Sequence, residues 1–475
     1  MSQKKNITEA ILFAPIREQT EKIRKGELSP VALAEAYLER LEKLGPKLGA
    51  VVTVTRELAL KEAKQAEAEI KAGKYRGPLH GIPYGVKDLA ATRGIPTTWG
   101  AEPFRKQVFD HDATIITRLR EAGAVLVAKL ALVELAGGFG YNNADASFTG
   151  PGRTPWNLDF WSGGSSSGPG AAVAAGLVSF AIGSETSGSI ITPSAFCGVS
   201  GLRPTYGRVS RFGCMALSWT LDKIGPMCRS AECCGLVLAA IAGKDWRDPS
   251  TVARKFAWPT EVKGPFKVGI LKDCTKNVQP AVKKNFEAAL RVIEKFARLE
   301  DGVALPDQPF GPVISTIIKA EGSSAFRDLL ESGECSKLRD KRDRTGGYEG
   351  LTVLAVDYLQ AMRIRTRIRK AMDAVYARYD AIVSPSRATV SYPINRDFDQ
   401  VYKGLGGGQL VIPAGNLAGQ PAISLPNGFG LHDLPTGLQF TGRAWSEAKL
   451  LALAQRYQQA TDWHRKVPPA AKEEG

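Results

Sequence analysis

The chain has 475 residues, of which 44% are hydrophobic and 23% charged, and these values are typical of an ordinary soluble globular protein. No apolar run is long enough to cross a bilayer, and charges interrupt residues 7–24, so we expect neither a membrane anchor nor a secretory leader. The seven cysteines show no paired Cys-x-x-Cys pattern, which argues against a disulfide framework or a zinc site and favours a cytoplasmic protein.

The net charge of +15 raises the question of a nucleic-acid partner. The densest basic run, at residues 363–370, would spread its arginines around a helix, and no aromatic residue alternates with them. Such a run is typical of a solvated helical surface, which is the interpretation we favour. We therefore predict no nucleic-acid partner and no membrane partner.

The N-terminal part of the chain is predicted to be helical. Residues 8–44 are interpreted as two helices, the second beginning at the N-cap pair Ser29-Pro30 and ending at Gly45-Pro46. Residues 57–72, rich in Ala, Glu and Lys, predict a further helix. We assign these helices a packing role and no chemistry.

From residue 81 onward, strand and helix patterns alternate. Residues 81–88 predict a turn and a short strand, and residues 112–129 predict a helix followed by a buried strand. This alternation favours an α/β fold with one large domain, in which helices cover both faces of a central mixed β-sheet. We predict an N-terminal helical segment at residues 1–75, packed on a catalytic domain at residues 76–470.

Two later segments have no regular pattern. Residues 331–350 are rich in charge and glycine and are predicted to be a mobile surface segment. Residues 385–408 form a long irregular stretch with Tyr392, Phe398 and Tyr402, of the length seen in loops that cover a substrate.

Two glycine-serine loops stand out, at residues 163–170 and 183–189. Runs of this kind are more often linkers than sites. Apolar segments flank both loops, however, and charge is nearly absent from residues 160–202, which argues against a linker. Glycine lets the backbone approach a ligand, serine brings a hydroxyl, and N–H groups ahead of a helix bind anions. We interpret the segment between the loops as one short apolar helix.

These loops and three further motifs resemble the amidase signature family. The matching segments are Gly-Ile-Pro-Tyr-Gly-Val-Lys-Asp at 81–88, Gly-Gly-Ser-Ser-Ser-Gly at 163–168, Gly-Ser-Glu-Thr-Ser-Gly-Ser-Ile at 183–190, Phe-Cys-Gly-Val-Ser-Gly-Leu-Arg-Pro-Thr-Tyr-Gly-Arg-Val-Ser at 196–210, and Asn-Leu-Ala-Gly-Gln-Pro-Ala-Ile-Ser at 416–424. Their order and spread cover nearly the whole chain. The resemblance implies the amidase signature fold and a hydrolase with a Ser-Ser-Lys triad, and we expect neither a metal nor a cofactor.

The same resemblance implies three catalytic residues. Ser189 is the nucleophile, Ser165 is the bridging serine held through a cis peptide, and Lys87 is the base. Judged from its neighbours alone, Lys87 could equally project its ammonium to water. The four histidines fit no triad or zinc-ligand pattern, whereas a buried lysine with a depressed pKa can act as a base. A neutral Lys87 would take a proton from Ser165 as Ser165 takes one from Ser189, and an acyl-enzyme would form.

Further residues are assigned to the same site. The N–H groups of Thr186, Ser187 and Gly188 are the predicted oxyanion-hole donors. The resemblance implies that residues 137–143 line the substrate pocket, although an ordinary surface turn remains an alternative for each of them. The predicted substrate-binding residues are Gly137, Gly138, Phe139, Tyr141, Ser166 and Ile191. Ser166 could instead be a structural turn hydroxyl.

The chain departs from the family pattern Asp-x-Gly-Gly-Ser-Ile-Arg, because it has Glu185, Ser187 and Ile191 at the first, third and last positions. Since Ile191 replaces the arginine, we expect an acid–arginine pair near the nucleophile to be missing and the pocket to be less polar. We interpret these departures as a change of substrate and not as a loss of activity.

We therefore predict an amidase or urethanase that cleaves non-peptide acyl C–N bonds of small apolar or aryl substrates. Carboxamides, anilides and carbamates qualify, with esters within reach, and the enzyme would act on a small molecule as a monomer or homodimer. A glutaminase (A) subunit of a tRNA-dependent amidotransferase is an alternative that would explain the basic charge. Against this alternative, the chain shows no clear glutamine-binding signature between residues 340 and 380. A catalytically silent binding protein is a second alternative, which the complete Lys-Ser-Ser set disfavours.

Overall fold

The computed structural model describes residues 7–262, 264–406 and 410–472. One mixed sheet of 11 strands runs through the described chain in the order β1-β3-β2-β4-β6-β5-β10-β11-β9-β7-β8. The strands are β1 (Val51–Val54), β2 (Pro83–Lys87), β3 (Val125–Leu130), β4 (Phe180–Glu185), β5 (Ser200–Arg203), β6 (Lys223–Cys228), β7 (Phe266–Leu271), β8 (Ala297–Val303), β9 (Ala381–Pro385), β10 (Ala422–Phe429) and β11 (Pro435–Thr441). The predicted α/β fold, a single domain with a central mixed sheet covered by helices, is confirmed.

Fifteen α-helices pack around this sheet within the described residues. They are α1 (Glu9–Leu12), α2 (Ile16–Arg24), α3 (Pro30–Leu48), α4 (Arg56–Lys71), α5 (Thr114–Glu121), α6 (Ser167–Ala174), α7 (Ile191–Cys197), α8 (Ala231–Ile241), α9 (Pro280–Ile293), α10 (Phe310–Ala325), α11 (Arg327–Glu331), α12 (Asp343–Leu351), α13 (Ala355–Tyr376), α14 (Val411–Ala418) and α15 (Glu447–Gln459). None of the described helices combines the length and the apolar composition needed to span a membrane.

The N-terminal helices differ from the prediction in two respects. Three helices occupy the region that was predicted to hold two, and α3 continues past Pro46 to Leu48. Gly49 ends it in the left-handed conformation (φ 55°), where its N–H donates to Pro46 O and the N–H of Ala50 donates to Gly45 O. The segment at 1–75, described from residue 7, also contributes strand β1 to the sheet edge beside β3.

The segment between the two glycine-serine loops is a helix and a strand, α6 and β4, and the prediction of one short helix is wrong. Small residues fill α6 because the backbone of its neighbours is close: a Cβ on Gly168 would lie 2.4 Å from Ala131 N. The apolar run after α6 forms β4, a fully buried strand that pairs with β2 on one side and β6 on the other. Short apolar runs of this kind do not distinguish a strand from a buried helix.

The segment at residues 331–350, predicted to be a mobile surface segment, lies largely at the surface, with 12 of its 20 residues exposed, and its mobility stays a prediction. This segment packs on the loop around residue 142, where the N–H of Asn142 donates to Asp340 Oδ2 at 2.9 Å. Asp340 and Asp343 are buried in this contact. The irregular stretch at 385–408 is described to residue 406, and its Phe398 ring stacks on Trp161 with 4.5 Å between the centroids. Residues 407 and 408 lie outside the described part of the chain.

Strands β2 and β4 bring the two halves of the predicted site together. They are parallel neighbours, with Val86 paired to Ile182. The carboxyl ends of parallel strands meet at one edge of a sheet. Lys87, at the end of β2, therefore lies beside the last residues of β4 and the loop that follows them.

Candidate active site

Lys87 is buried, with 1% of its surface exposed, and its amine contacts two hydroxyl groups. Nζ lies 2.7 Å from Ser165 Oγ and 2.9 Å from Ser184 Oγ. Burial lowers the pKa of Lys87 to about 7, although the negative charges of Asp222 and Glu185 act in the opposite direction. A large fraction of the amine is therefore neutral near physiological pH and able to accept a proton.

Ser165 follows a cis peptide bond from Gly164, as the family resemblance implied. Its side chain is 1% exposed, so the contact with Lys87 is shielded from water. Ser166 has a different role in the structure: its Oγ donates to Ser184 O at 3.2 Å and accepts from Ser184 N at 3.3 Å. Ser166 thus holds the backbone of the residue that supplies the second hydroxyl to Lys87.

Ser189 lies in the turn between β4 and α7 and is partly exposed, unlike Lys87 and Ser165. The N–H of Ser166 donates to Ser189 O at 3.2 Å, so the two glycine-serine loops are joined directly. The preceding residue, Gly188, has a φ of 91°, a conformation that favours glycine. Ser187 does not have a positive φ, which explains why a serine is tolerated there.

The buried side chain of Glu185 holds this turn through hydrogen bonds to its backbone. Its Oε2 accepts the N–H groups of Ile190 and Ile191 at 2.9 and 3.0 Å. Its Oε1 pairs with Arg203 Nη1 at 2.7 Å and accepts from Asn416 Nδ2 at 2.9 Å. Burial alone would raise the pKa of Glu185, but the charge and hydrogen bond of Arg203, with Lys223 and Asn416, lower it to about 2.

The expectation that an acid–arginine pair would be missing is therefore wrong. Arg203, at the end of β5, is the arginine that pairs with Glu185. Both side chains are fully buried. The sequence places Arg203 in the quoted Gly-Leu-Arg-Pro motif, but only the strand order brings it to Glu185.

The predicted oxyanion donors are backbone N–H groups of the turn that contains Ser189. Within the described residues, the predicted donors, the N–H groups of Thr186, Ser187 and Gly188, donate to no protein acceptor, and neither does the N–H of Ser189. The Thr186 hydroxyl is committed elsewhere, because its Oγ1 donates to Asp222 Oδ1 at 2.6 Å. Consecutive free N–H groups ahead of a helix suit an oxygen that acquires negative charge during a reaction.

The predicted substrate-binding residues fall into two groups. Tyr141 lies at the site, since a Cβ on Gly164 would be 3.0 Å from its hydroxyl. Phe139 instead packs inward against Phe326, with 5.8 Å between the ring centroids. Ile191 is fully buried in the core. Gly137 and Gly138 form the turn that leads to this loop, where a Cβ on Gly137 would meet the Tyr141 ring and one on Gly138 would meet Leu217.

A cavity of about 180 Å³ reaches the same edge of the sheet. Its inner wall includes Ser184, Thr186 and Asp222, and its apolar side includes Ala136 and Leu217. The cavity thus borders Ser184, whose hydroxyl contacts Lys87, and Thr186, in the turn that leads to Ser189.

Several residues that shape the site were not identified from the sequence. They are Ser184, Arg203, Asp222 and Asn416, all of them buried. Ser184 stood inside a quoted motif, and the parallel register of β2 and β4 is the signal that would have placed it opposite Lys87. Asn416 begins the quoted motif at 416–424, but nothing in the sequence places it beside Glu185, and no local pattern marks Asp222.

Comparison with known proteins identifies similar chains of the same length. The family model for amidases matches residues 32–451. The chain is 37% identical to the A subunit of the glutamyl-tRNA(Gln) amidotransferase of Acinetobacter baumannii, over 96% of this chain and 98% of that one. Among solved structures it is similar to the A subunit of the glutamyl-tRNA(Gln) amidotransferase of Thermotoga maritima (29% identity, TM-score 0.81, 97% and 99% covered). It is also similar to the peptide amidase of Stenotrophomonas maltophilia (30%, TM-score 0.83, 96% and 98%).

These similarities correct two predictions. The main functional prediction, a hydrolase of small apolar or aryl amides and carbamates, is wrong, because curated relatives at 35–37% identity over nearly the full chain are named as amidotransferase subunits. The partner prediction, a small-molecule substrate, no nucleic acid and a monomer or homodimer, is wrong for the same reason. The names of those relatives refer to a transfer RNA and describe each protein as one subunit of an amidotransferase.

Proposed function

Because the chain belongs to the amidase signature family of enzymes, we propose that it hydrolyses the side-chain amide of glutamine as the A-type subunit of a tRNA-dependent amidotransferase. The identity of 37% to the A subunit of the Acinetobacter baumannii amidotransferase, over 96% of this chain, supports this assignment over the other activities of the family. The net charge of +15 is compatible with an assembly that works on RNA.

The contact between Lys87 Nζ and Ser165 Oγ is the observation that carries the chemical part of the proposal. Lys87 accepts a proton from Ser165 as Ser165 accepts one from Ser189, and Ser189 Oγ bonds to the amide carbon. The carbonyl oxygen becomes an oxyanion and accepts hydrogen bonds from the free N–H groups of the turn. The relay then returns the proton to nitrogen, the C–N bond breaks, and ammonia leaves an acyl-enzyme that water hydrolyses.

The anchored turn explains how this geometry is maintained. Glu185 ties the N–H groups of Ile190 and Ile191 to Arg203, so the backbone next to Ser189 is fixed before a substrate arrives. Donors that are already in place lose no free energy to reorganisation during the reaction. Removal of one such donor typically slows a reaction by about a hundredfold or more.

Release of ammonia and glutamate from glutamine by the purified chain tests the proposal. We expect turnover that Ser189→Ala abolishes, and binding of glutamine to the Ser189→Ala variant by calorimetry. Lack of both turnover and binding, with hydrolysis of amides unrelated to amino acids, would contradict a glutaminase.

A further inference from the structure

We propose that Asp222 and Lys223 are positioning residues for the reaction, because together they orient the peptide between Thr186 and Ser187 so that its N–H faces the oxygen that becomes negative. The inference rests on the acyl transfer at Ser189 that the proposed function describes. It adds to that reaction two residues of a strand that lies outside both glycine-serine loops.

The start of β6 lies directly beside the end of β4, the strand that leads into the turn of Ser189. In the antiparallel register of these strands, Lys223 pairs with Glu185. Asp222 immediately precedes β6 and Thr186 immediately follows β4, so the same register places these two residues side by side. Asp222, Lys223 and Thr186 are all buried. The turn is therefore supported by a neighbouring strand, and not only by its own loop.

Asp222 is fixed on one side and holds Thr186 on the other. Its Oδ2 accepts the N–H groups of Leu217 and Ser218 at 2.8 and 2.9 Å, and its Oδ1 accepts from Thr186 Oγ1 at 2.6 Å. Burial raises the pKa of Asp222, and these three hydrogen bonds act against that rise. Hydrogen bonds to a carboxylate are stronger than those between neutral groups, so this contact fixes the Thr186 side chain.

Lys223 reaches the carbonyl group of the same peptide. Its Nζ lies 3.4 Å from Thr186 O and also donates to Leu221 O. The peptide is trans, so its C=O and N–H point in opposite directions, and a carbonyl directed at Lys223 turns the Ser187 N–H away from β6. Burial lowers the pKa of Lys223, but the ammonium and the neutral amine both carry N–H donors, so this contact does not depend on the charge.

The N–H of Ser187 remains available for the reaction. Among the described residues it has no protein acceptor, and Ser187 is partly exposed whereas Thr186 is buried. An oxyanion donor is effective when it already points at the oxygen, because reorientation during the reaction costs free energy. Two contacts on one peptide, through the Thr186 hydroxyl and the Thr186 carbonyl, remove that freedom.

Thr186→Val and Thr186→Ser are the matched test variants, because the first replaces the hydroxyl with a methyl group and the second retains it. For Thr186→Val we expect kcat for glutamine to fall by about ten- to a hundredfold with KM unchanged, since the oxyanion exists only during the reaction. Thr186→Ser should keep most of kcat, and Lys223→Met should lower kcat by less because its contact is longer. The control is Thr436→Val, which removes a buried hydroxyl that donates to Asn427 Oδ1 at 2.8 Å in β11 and should leave kcat unchanged.

The pH profile separates this role from an effect on the base. Thr186→Val leaves every charge near Lys87 in place, so the pKa of about 7 in the profile should stay where it is while kcat falls. An unchanged kcat, a change in KM alone, or a shift of that pKa in Thr186→Val would overturn the inference.

Labelling of Ser189 by a fluorophosphonate tests the contact with Asp222 without a natural substrate. Asp222→Ala should slow labelling at least as much as Thr186→Val, and the double variant should be no slower than Asp222→Ala, because both changes break one contact. Losses that multiply would overturn the inference, and the two Thr186 variants decide it if Asp222→Ala does not fold. Glutamine hydrolysis that Thr186→Val leaves unchanged refutes this inference alone. Slower labelling of Thr186→Val, in a chain that does not hydrolyse glutamine, refutes the proposed function and leaves this inference in place.

Discussion

The amine of Lys87 lies 2.7 Å from the hydroxyl of Ser165, in a position from which water is almost entirely excluded. Their separation in sequence is 78 residues. The parallel pairing of β2 with β4 places Lys87 beside Ser184, and the hydrogen bonds of Ser166 to the Ser184 backbone hold the loop of Ser165 there. Because desolvation disfavours the ammonium form, the same burial that shields the contact also supplies the neutral base.

The pH dependence of catalysis should reflect this amine. The pKa of Lys87 is lowered to about 7, and only the deprotonated form accepts a proton. We expect kcat/KM to rise through about pH 7 and to level off above it. A profile that keeps rising toward the ordinary lysine pKa of about 10.4 would show that burial does not depress the pKa of the base.

Ser184 is expected to orient the amine. It provides the second hydroxyl contact of Lys87, at 2.9 Å. Ser184→Ala should lower kcat by about fivefold, consistent with the loss of one hydrogen bond of about 1 kcal/mol, and should shift the pKa seen in the pH profile downward, because an acceptor of the ammonium form is lost. A merely structural serine would leave that pKa unchanged, so the profile separates the two roles.

Glu185 is expected to be important for both stability and activity. Glu185→Gln leaves the fully buried Arg203 without its counter-ion and should reduce the free energy of unfolding by about 3–5 kcal/mol. The double variant Glu185→Gln/Arg203→Met should lose less stability than the sum of the single variants, as measured by urea denaturation. Additive losses would indicate that the two side chains are not energetically coupled.

Lys87 should reduce stability at neutral pH. Because its folded pKa is below its unfolded pKa, the unfolded chain binds more protons between about pH 7 and 10.5, and stability rises with pH in that window. Lys87→Met should therefore be more stable than the parent near pH 7, by on the order of 4 kcal/mol, and the gap should narrow as the pH approaches 10.5. A gap that does not change with pH would indicate that the lysine titrates alike in both states.

The sequence predicted the fold class well because its signals are local or carried by motifs. The helix-then-strand pattern at residues 112–129 corresponds to α5 and β3. Residues 331–350 are mostly exposed, as their charge and glycine content predicted, but the buried contacts within them were not predicted. Asp340 is buried there and accepts hydrogen bonds from the N–H of Asn142 and from Asn143 Nδ2, which lie on a distant loop, a contact that local composition does not reveal.

The site was predictable only as far as its motifs extend. Lys87, Ser165 and Ser189 were assigned by resemblance, and their catalytic roles remain a proposal. Arg203 could not be paired with Glu185 without the order of β4, β6 and β5 in the sheet. The substrate was misjudged because the change from arginine to Ile191 was interpreted as a less polar pocket, whereas Ile191 is fully buried in the core and relatives at 35–37% identity are named as amidotransferase subunits.

The reaction of Ser189 with a serine-directed fluorophosphonate, followed by peptide mass spectrometry, tests the relay most directly because it needs no natural substrate. The account predicts labelling at Ser189, at a rate that rises through about pH 7 and falls by a hundredfold or more in both Lys87→Met and Ser165→Ala. Labelling at another residue, or a labelling rate of Ser189 that Lys87→Met leaves unchanged, would contradict it.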